Sequence, residues 1–376
     1  MKITKLLLTS LVFFLIILVI FLFNIIIKDF NYSHKSHNVY PGEVNWTKYY
    51  FALNKKKLTN FFLRLTDDSE GLPRVKIYLP EKTTKELLSS IPYSTKQYLK
   101  AEILIDNKKK KAKARYFGDN PKNWMFNQKA IRLKVKKSEL VNRKRYFEYK
   151  PTGDSLLQRY IAYKLTKKLN LLVTDARLIE LFVNDKSKGI YIETERLNES
   201  FLRRNKIMPI NLYKGEASRN SEKKIGLEFN LDQNPGLWEK ISFLNSTDED
   251  DYTDLIRLSK NIRNAENSPN DLNKILKFEN TDLFARASIL EILLNSWIGN
   301  YDHNRRVAID VWSGISHIIP HDISYEREKI NEENFKSDKS AGNLFYVINQ
   351  SSNFLNAKYE TLFKVVKEEK IFDEII

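Results

Sequence analysis

The sequence predicts an α+β protein with a transmembrane helix at its N-terminus. An uncharged apolar run at the start of the chain is long enough to cross a bilayer, and strand-like and helix-like apolar patterns follow each other over the rest. The chain has 376 residues, of which 42% are hydrophobic and 12% aromatic, so it can bury a core. This composition excludes wholesale disorder.

Composition also excludes several common classes of site. The chain has no cysteine, so disulfide frameworks, thiolate metal sites and thiol nucleophiles are excluded. No two of the 11 glycines form a GxG pair, which excludes a Rossmann GxGxxG motif and a kinase-type glycine-rich loop, and the P-loop and GxSxG motifs are absent too. Lys and Arg number 63 against 47 Asp and Glu, and the net charge of +16 favours anionic partners.

The apolar run extends from Leu6 to Ile27 and lies between Lys5 and Lys28. About 20 apolar residues, rising about 1.5 Å each, cross a hydrocarbon core of roughly 30 Å. A cleaved signal peptide would have a shorter apolar region and a small-residue cleavage site, whereas the sequence FNIIIKDF follows here. Lysines before the run place the N-terminus inside the cell, which predicts a single-pass membrane protein with its large C-terminal part outside the cytoplasm.

Three segments follow from these patterns. Residues 1–28 form the predicted membrane anchor, residues 29–70 form a polar and aromatic stem without clear periodicity, and residues 71–376 form the folded domain.

Apolar residues in alternation predict the first strands of this domain. Val75, Ile77 and Leu79 share one face of a strand. The segments AEILID and KAKARYF flank Asn107 and predict a hairpin, and QKAIRLKVKK predicts a further strand that buries its Ile and Val positions. A second hairpin, ARLIELFVN with GIYIETERL, turns around Asn184–Gly189.

Helical spacing predicts a helix that begins after Asp154 or Ser155 and buries six apolar side chains: Leu156, Leu157, Tyr160, Ile161, Leu165 and Leu169. A second helix spans Asp282 to Trp297 and is followed by the loop Asn300–Asn304. The segments RVAIDVW and HIIPHDIS predict a short hairpin that turns at Ser313–Ser316, and the C-terminal 30 residues are predicted to be helical. Residues 205–280 are mostly charged and indicate only loop or helix.

Charged residues in the predicted strands are the first candidates for chemistry. Lys129 falls on the apolar face of its strand, where a lysine needs an anionic partner or a cleft, unless it extends from the strand end into solvent. Glu193 and Glu195 share a face with Tyr191, and either could pair with Lys129, although strand glutamates more often face the surface.

A second group of candidates follows the helix at Asp282–Trp297. Asp302 and Asn304 lie in a loop, and Asp322 ends an apolar strand about 20 residues later. Two carboxylates and a carboxamide can bind one or two Mg²⁺ ions and leave one aspartate as a base. An alternative is a transition-metal site formed by these aspartates with the nearby histidines, which are His303, His317 and His321.

Basic residues concentrate near the first hairpin, at Lys108–Lys111, Lys113 and Arg115, and again at Arg143–Arg145. Such surfaces suit anionic lipid headgroups, acidic glycans or nucleic acid. Nucleic acid is the least favoured of the three, because no nucleic-acid-binding motif accompanies the charge.

Taken in order, these segments resemble the CotH (spore coat protein H) kinase family, a divergent branch of the protein-kinase-like fold. The resemblance covers roughly Leu72 to the C-terminus and rests on several blocks in order. They are the Arg115–Gly118 turn with QKAIRLKV, DSLLQRYIAYKLTKKLNLL, LFVNDKSKGIYIETERLNESFLRR, GNYDHNRRVAIDVW and IIPHDISYE. The resemblance implies an atypical two-lobed kinase domain that uses ATP with Mg²⁺ or Mn²⁺.

The resemblance also implies a role for each candidate residue. Lys129 corresponds to the family's nucleotide-phosphate lysine, with Glu195 as its ion-pair partner and Arg115 as a further cofactor-binding residue. Asp302 corresponds to the catalytic aspartate, and the metal ligands are Asn304 and Asp322. These residues would neutralise and position the transferred phosphoryl group.

The chain departs from the family pattern at two positions. Gly118 is delayed relative to the usual Arg-Gly pair, and Ser324 stands where a second carboxylate or a carboxamide usually follows the metal-binding aspartate. The sequence therefore predicts a membrane-anchored kinase acting on a surface or secreted protein or an acidic glycan. The alternatives are a catalytically silent kinase-fold module that binds anionic envelope polymers and a His/Asp metal-dependent hydrolase.

Overall fold

A computed structural model describes most of the folded domain and one helix near the N-terminus. The described residues are 10–21, 71–91, 97–105, 108–118, 123, 128–151, 156–215, 234–242, 248–268, 272, 281–295, 306–325 and 347–368. They form a mixed α+β fold, as the sequence predicts.

The described residues form eleven strands with helices between some of them. The strands are β1 (Arg74–Tyr78), β2 (Leu99–Ile105), β3 (Lys108–Tyr116), β4 (Ile131–Val135), β5 (Tyr146–Lys150), β6 (Ala176–Val183), β7 (Lys186–Glu195), β8 (Asn211–Lys214), β9 (Glu239–Lys240), β10 (Arg306–Ile309) and β11 (Ser316–Ile319). The helices are α1 (residues 10–21), α2 (Glu81–Ser89), α3 (Leu156–Lys168), α4 (Glu199–Arg204), α5 (Thr253–Asn267), α6 (Thr281–Leu294) and α7 (Ser352–Lys367).

The strands form two sheets. Strands β1–β7 close into a barrel in the order β1-β2-β3-β4-β5-β7-β6, and the remaining strands form a four-stranded sheet in the order β11-β10-β8-β9. The chain divides into two compact units. The first comprises Met1–Val135, Tyr149–Pro151 and Leu178–Tyr191, and the second comprises Lys136–Glu148, Thr152–Arg177 and Ile192–Ile376.

In the first unit, strand parity follows the sequence prediction. The apolar positions of β1 and β4 are buried, and the lysines and arginines between them face outward. Strands β2 and β3 pair antiparallel along their length, as the predicted hairpin requires, while its turn at residues 106–107 lies outside the described residues. A period of two places every second side chain inside the barrel.

The second hairpin turns more tightly than the sequence analysis expected. Asn184 and Asp185 have φ angles of 51° and 59°, and β7 begins immediately afterwards at Lys186. Two consecutive positive φ values are typical of a type I′ turn, whose twist matches that of the flanking strands. The predicted loop at Asn184–Gly189 is therefore a two-residue turn.

Segment 205–280, which the sequence indicated only as loop or helix, contains helix α5 and also two strands that were not predicted, β8 and β9. The predicted hairpin of β10 and β11 is confirmed, and β10 pairs with β8 on its other side. A core forms behind this sheet from Leu197, Phe201, Leu202, Ile210, Leu212, Ala308 and Ile319. Helix α6 packs against α7, and the predicted C-terminal helix is thereby confirmed.

Helix α3 forms where the sequence predicts it, but its buried face is rotated. Ala162, Tyr163, Leu165 and Thr166 are buried, whereas Leu157 is 53% exposed. Of the six side chains predicted to be buried, Leu165 and Leu169 are buried, whereas Ala162, Tyr163 and Thr166 take the core positions nearer the start of the helix.

Residues 10–21, in the middle of the predicted anchor, are helical, and their large apolar side chains are exposed. Within the part of the chain that the structure describes, no helix combines the length and apolarity that crossing a membrane requires. The flanking residues 6–9 and 22–27 lie outside the described residues, so the membrane anchor stays a prediction.

Candidate active site

Lys129 lies in the first unit, directly before β4, on a backbone held from several sides. The Gln128 side chain donates a hydrogen bond to the Lys188 carbonyl at 2.6 Å, and the Ala130 N–H donates to the Asn123 carbonyl at 2.6 Å. These bonds tie the start of β4 to β7 and to the segment before it. The backbone on both sides of Lys129 is therefore fixed by hydrogen bonds.

The surroundings of Lys129 favour the neutral form of its side chain. Burial of the side chain, together with the nearby positive charge of Lys188, lowers the pKa of Lys129 to about 8. A half-buried lysine beside a second lysine is a site where an anion would relieve both effects. This observation fits a phosphate group, and it supports the sequence reasoning that Lys129 needs an anionic partner or a cleft.

Gly118 lies two residues after the end of β3 and has a φ of +94°. A Cβ at this position would lie 2.5 to 2.9 Å from the Asn123 side chain. We expect Gly118→Ala to destabilise the protein by about 1–2 kcal/mol from backbone conformation alone, with a further loss from the contact. Urea unfolding of the full chain measures this loss.

Gly236→Ala is the matched control, because no atom lies within 4 Å of its Cβ position and its φ is not in the left-handed region. A Gly118→Ala protein as stable as the Gly236→Ala protein would contradict the backbone conformation and the close contact at Gly118.

Asp322 lies in the second unit, just after β11, in the left-handed region with a φ of 56°. Aspartate tolerates this conformation better than most residues. Its Oδ1 accepts a short charged hydrogen bond from Nη1 of Arg159 on α3, and its side chain remains 32% exposed. Asp322 is thus held by a residue from a distant part of the sequence and stays accessible.

Further charges surround this pair. The side chain of Arg306 on β10 is buried, and burial lowers the pKa of Arg306 to about 10 against the opposing effects of Asp322, Glu239 and Glu148. Burial, with the negative charge of Asp322 next in size, raises the pKa of the Tyr163 phenol. Asp322 therefore lies among both positively and negatively charged side chains.

The two glutamates of β7 are buried, which corrects the expectation that strand glutamates face the surface. Glu193 accepts two hydrogen bonds from Arg177, at 2.7 and 3.0 Å. Glu195 forms an ion pair with Arg204 of α4. Burial nevertheless raises the pKa of Glu195, with Arg204 opposing the shift. The partner of Glu195 in the structure is therefore Arg204, and the predicted pairing with Lys129 stays a prediction.

The other predicted residues divide into two groups. Arg115 is on β3 in the first unit, and its guanidinium lies 5.3 Å from the centre of the Tyr98 ring. Asp302 and Asn304 lie outside the described residues, as does His303. Among the residues that are described, no cluster of three His, Cys, Asp or Glu side chains is arranged to hold a metal ion.

Sequence reasoning missed the basic residues around Asp322. Arg159 lies 163 positions away in the chain, and nothing in the local pattern of α3 marks it. Arg306 had a detectable signal, because it begins a short strand whose remaining residues are apolar. An arginine buried in such a strand needs acidic partners, and the acidic groups nearby include Asp322.

Comparison with known proteins identifies the family. The family model described as CotH kinase protein matches residues 106–376, which is most of the chain. The chain therefore belongs to the CotH kinase family, a family of kinase-like transferases. The match begins after β2 and includes Lys129, Glu195, Asp302 and Asp322. No curated protein matches the chain.

The residues present can be compared with what a kinase family uses in general, ATP and a divalent cation. The Asp322 carboxylate is a hard oxygen ligand that suits Mg²⁺ or Mn²⁺, and it is accessible. Arg159 would compete with a bound cation for this carboxylate. Lys129 and Lys188 suit phosphate oxygens. These side chains fit the two groups.

Proposed function

We propose that the protein is a membrane-anchored atypical kinase that transfers the γ-phosphate of ATP to a surface or secreted protein or to an acidic glycan. Family membership supports the reaction type. The observation that carries the proposal is Asp322, an accessible carboxylate in the left-handed conformation at the end of β11, within the matched region.

Each residue has a role in this proposal. Lys129 and Arg115 bind the nucleotide phosphates, with Glu195 as a further residue of the cofactor site, and Asp302 accepts the proton of the acceptor hydroxyl. Asn304 and Asp322 hold the divalent cation, which when bound neutralises charge on the phosphates. Phosphoryl transfer needs mainly positioning and charge neutralisation, and these residue types provide both.

Incubation of the full chain with γ-labelled ATP and an envelope extract tests the proposal. We expect label to appear in an acceptor with Mg²⁺ or Mn²⁺ and to disappear when EDTA removes the metal. A folded protein that transfers no label with either metal would contradict the proposal.

The low pKa of Lys129 predicts a pH-dependent affinity for ATP. Below about pH 8 the ammonium is charged and attracts phosphate, and above it the group becomes neutral. Affinity should fall as the pH rises through this value, by up to about tenfold per unit well above it. Calorimetric titration with ATP between about pH 7 and pH 9 measures this fall.

Lys129→Arg is the matched control, because arginine stays charged throughout this range. Its affinity should change little with pH, and an equally steep fall in both proteins would show that another group titrates. The free energy of unfolding changes with pH in the opposite direction to the affinity for ATP. The charged lysine is unfavourable in the folded chain, and this cost disappears as the pH rises from about 8 toward the ordinary lysine pKa of 10.5.

The proposal places the N-terminus inside the cell and the kinase domain outside the cytoplasm, on the basis of Lys2 and Lys5 before the apolar run. A phosphatase reporter fused after Ile376 should be active, and a cytoplasmic reporter at the same position inactive. The reverse result would place the kinase domain in the cytoplasm.

A catalytically silent module is the second candidate, and two observations favour it. Arg159 pairs with the carboxylate that would bind metal, and Ser324, two residues later, is buried and directed toward its own neighbour's carbonyl. If Arg159 keeps the site silent, Arg159→Met should bind Mn²⁺ more tightly than the wild type. The His/Asp hydrolase has no cluster to support it among the described residues.

A further inference from the structure

The turn between β10 and β11 holds a tryptophan out into solvent. Trp312 is 78% exposed, more than any other large apolar side chain in the described part of the chain. Three hydrogen bonds fix the backbone of the turn: Asp310 Oδ1 accepts the Trp312 N–H at 2.8 Å, the Gly314 N–H donates to the Asp310 carbonyl at 2.8 Å, and the Asp310 N–H donates to the Ile315 carbonyl at 2.9 Å. Gly314 has a φ of 72°, which glycine adopts at little cost. The backbone that carries Trp312 is therefore well defined.

Helix α5 borders this turn. Nη2 of Arg257 lies 2.8 Å from the position that a Cβ on Gly314 would take. None of the residues that the structure describes as exposed on α5 is acidic, and they are Thr253, Ile256, Arg257, Lys260, Arg263 and Asn264. We call Trp312, Ile256, Arg257 and Lys260 the tip patch.

The charge of the tip patch faces solvent. Within the described part of the chain, neither Arg257 nor Lys260 forms an ion pair, and both are exposed. Asp254, in the first turn of α5, accepts hydrogen bonds from Asn211 at 2.8 Å and from Tyr213 at 2.6 Å, so its carboxylate is directed toward the sheet. The tip patch thus combines an exposed indole ring with two positive charges that are available to a partner.

We propose that the tip patch docks on the surface of an anionic lipid bilayer, with Trp312 in the headgroup region and Arg257 and Lys260 against lipid phosphates. Tryptophan is enriched at membrane–water interfaces, where its ring lies at headgroup level. Lysine and arginine are attracted to an anionic leaflet over about one Debye length. The surface belongs to the second unit, uses no residue of the candidate active site and does not rest on the proposed kinase activity.

The shape of the tip patch favours a bilayer over a bound small molecule or peptide. Small ligands lie in concave pockets that cover most of their surface, and the central side chains of protein interfaces fill closely packed pockets. Trp312 has the opposite form, because a side chain that is 78% exposed at the tip of a hairpin is surrounded mostly by solvent. A soft, flat headgroup layer can surround such a tip.

Tryptophan fluorescence of the full chain in lipid vesicles tests the proposal. The vesicles contain phosphatidylcholine and phosphatidylglycerol in equal amounts, with a headgroup spin-labelled lipid as the quencher. The variant W312F gives the signal of the other tryptophans, so the difference between the two proteins reports Trp312 alone. We expect strong quenching of Trp312 in these vesicles and little in vesicles of phosphatidylcholine without the anionic lipid.

The variant R257Q/K260Q removes the two charges of the tip patch. Each cation near an anionic surface changes the ratio of docked to undocked protein about fivefold, so this ratio should fall roughly tenfold or more. K260Q alone leaves the contact of Arg257 with the turn intact and should lower the ratio about fivefold. Thermal unfolding confirms that each variant is folded.

The control variant K137Q/K364Q removes the same charge from exposed positions of the second unit outside the tip patch. It should dock as the wild type does. Equal loss of docking in the two double variants would mean that only net charge matters, and the proposal would be wrong.

Two further results would overturn the proposal. Quenching of Trp312 that is the same with and without phosphatidylglycerol, or absent from both kinds of vesicle, would show that the tip patch does not dock on an anionic bilayer. A Trp312 signal that responds to dissolved polygalacturonate but not to vesicles would indicate a surface for acidic glycans.

Discussion

Asp322→Asn is expected to slow phosphoryl transfer by about 100- to 1,000-fold, the loss typical when one group that stabilises developing charge is removed. The amide keeps the size of the side chain and tolerates the left-handed conformation that the structure requires. It loses the negative charge that pairs with Arg159 and that, in the proposal, holds the divalent cation. The rate of label transfer from γ-labelled ATP at saturating Mg²⁺ measures the effect.

Asp310→Asn is the matched control for Asp322→Asn. Asp310 also follows a strand of the same hairpin and accepts the Trp312 N–H at 2.8 Å, which an amide oxygen can accept as well. This variant should keep wild-type activity. Loss of activity in both variants, or in neither, would remove Asp322 from the proposed site.

Arg204→Met is expected to destabilise the protein by about 3–5 kcal/mol, the cost of leaving one member of a buried ion pair uncompensated. The Glu195 side chain is 1% exposed and that of Arg204 is 18% exposed, so water cannot replace the lost partner. Arg203→Met on the exposed face of the same helix is the control and should change stability by less than about 0.5 kcal/mol. Chemical denaturation of the three proteins measures the difference.

The stability of Arg204→Met should depend on pH with a defined sign. Burial raises the pKa of Glu195 in the folded chain, so its contribution is most favourable below the ordinary glutamate pKa and is lost as the pH rises through the folded value. The deficit of Arg204→Met should therefore be largest near neutral pH and shrink on acidification. Adding Glu195→Gln should restore much of the loss. A deficit that is independent of pH and unaffected by Glu195→Gln would contradict the ion pair.

Local periodicity predicted the strands of the first unit because one face of each strand is buried. Val75 and Ile77 of β1 and Ile131 and Leu133 of β4 are all buried, as their alternation indicates. In such strands the local pattern and the tertiary environment agree. The type I′ turn at Asn184 and Asp185 was missed because an Asn-Asp pair is a less specific turn signal than Asn-Gly.

Ion pairs between residues far apart in the chain could not be predicted from the sequence. Helix α3 buries Tyr163 and Thr166 in preference to Leu157, and it places Arg159 against Asp322. An apolar pattern cannot anticipate that a helix turns a polar face inward to meet charges from a strand far along the chain. The candidate residues Lys129 and Asp322 came from strand parity and from a carboxylate in an apolar strand, but only the structure revealed the nearby charge of Lys188 and the ion pair with Arg159.

The most direct test of the proposed function is the transfer of label from γ-labelled ATP by the full-length wild-type chain and by Asp322→Asn in one assay. The proposal predicts metal-dependent transfer by the wild type, abolished by EDTA and reduced to near background in the variant. Two folded proteins that are equally silent with Mg²⁺ and with Mn²⁺ would contradict it.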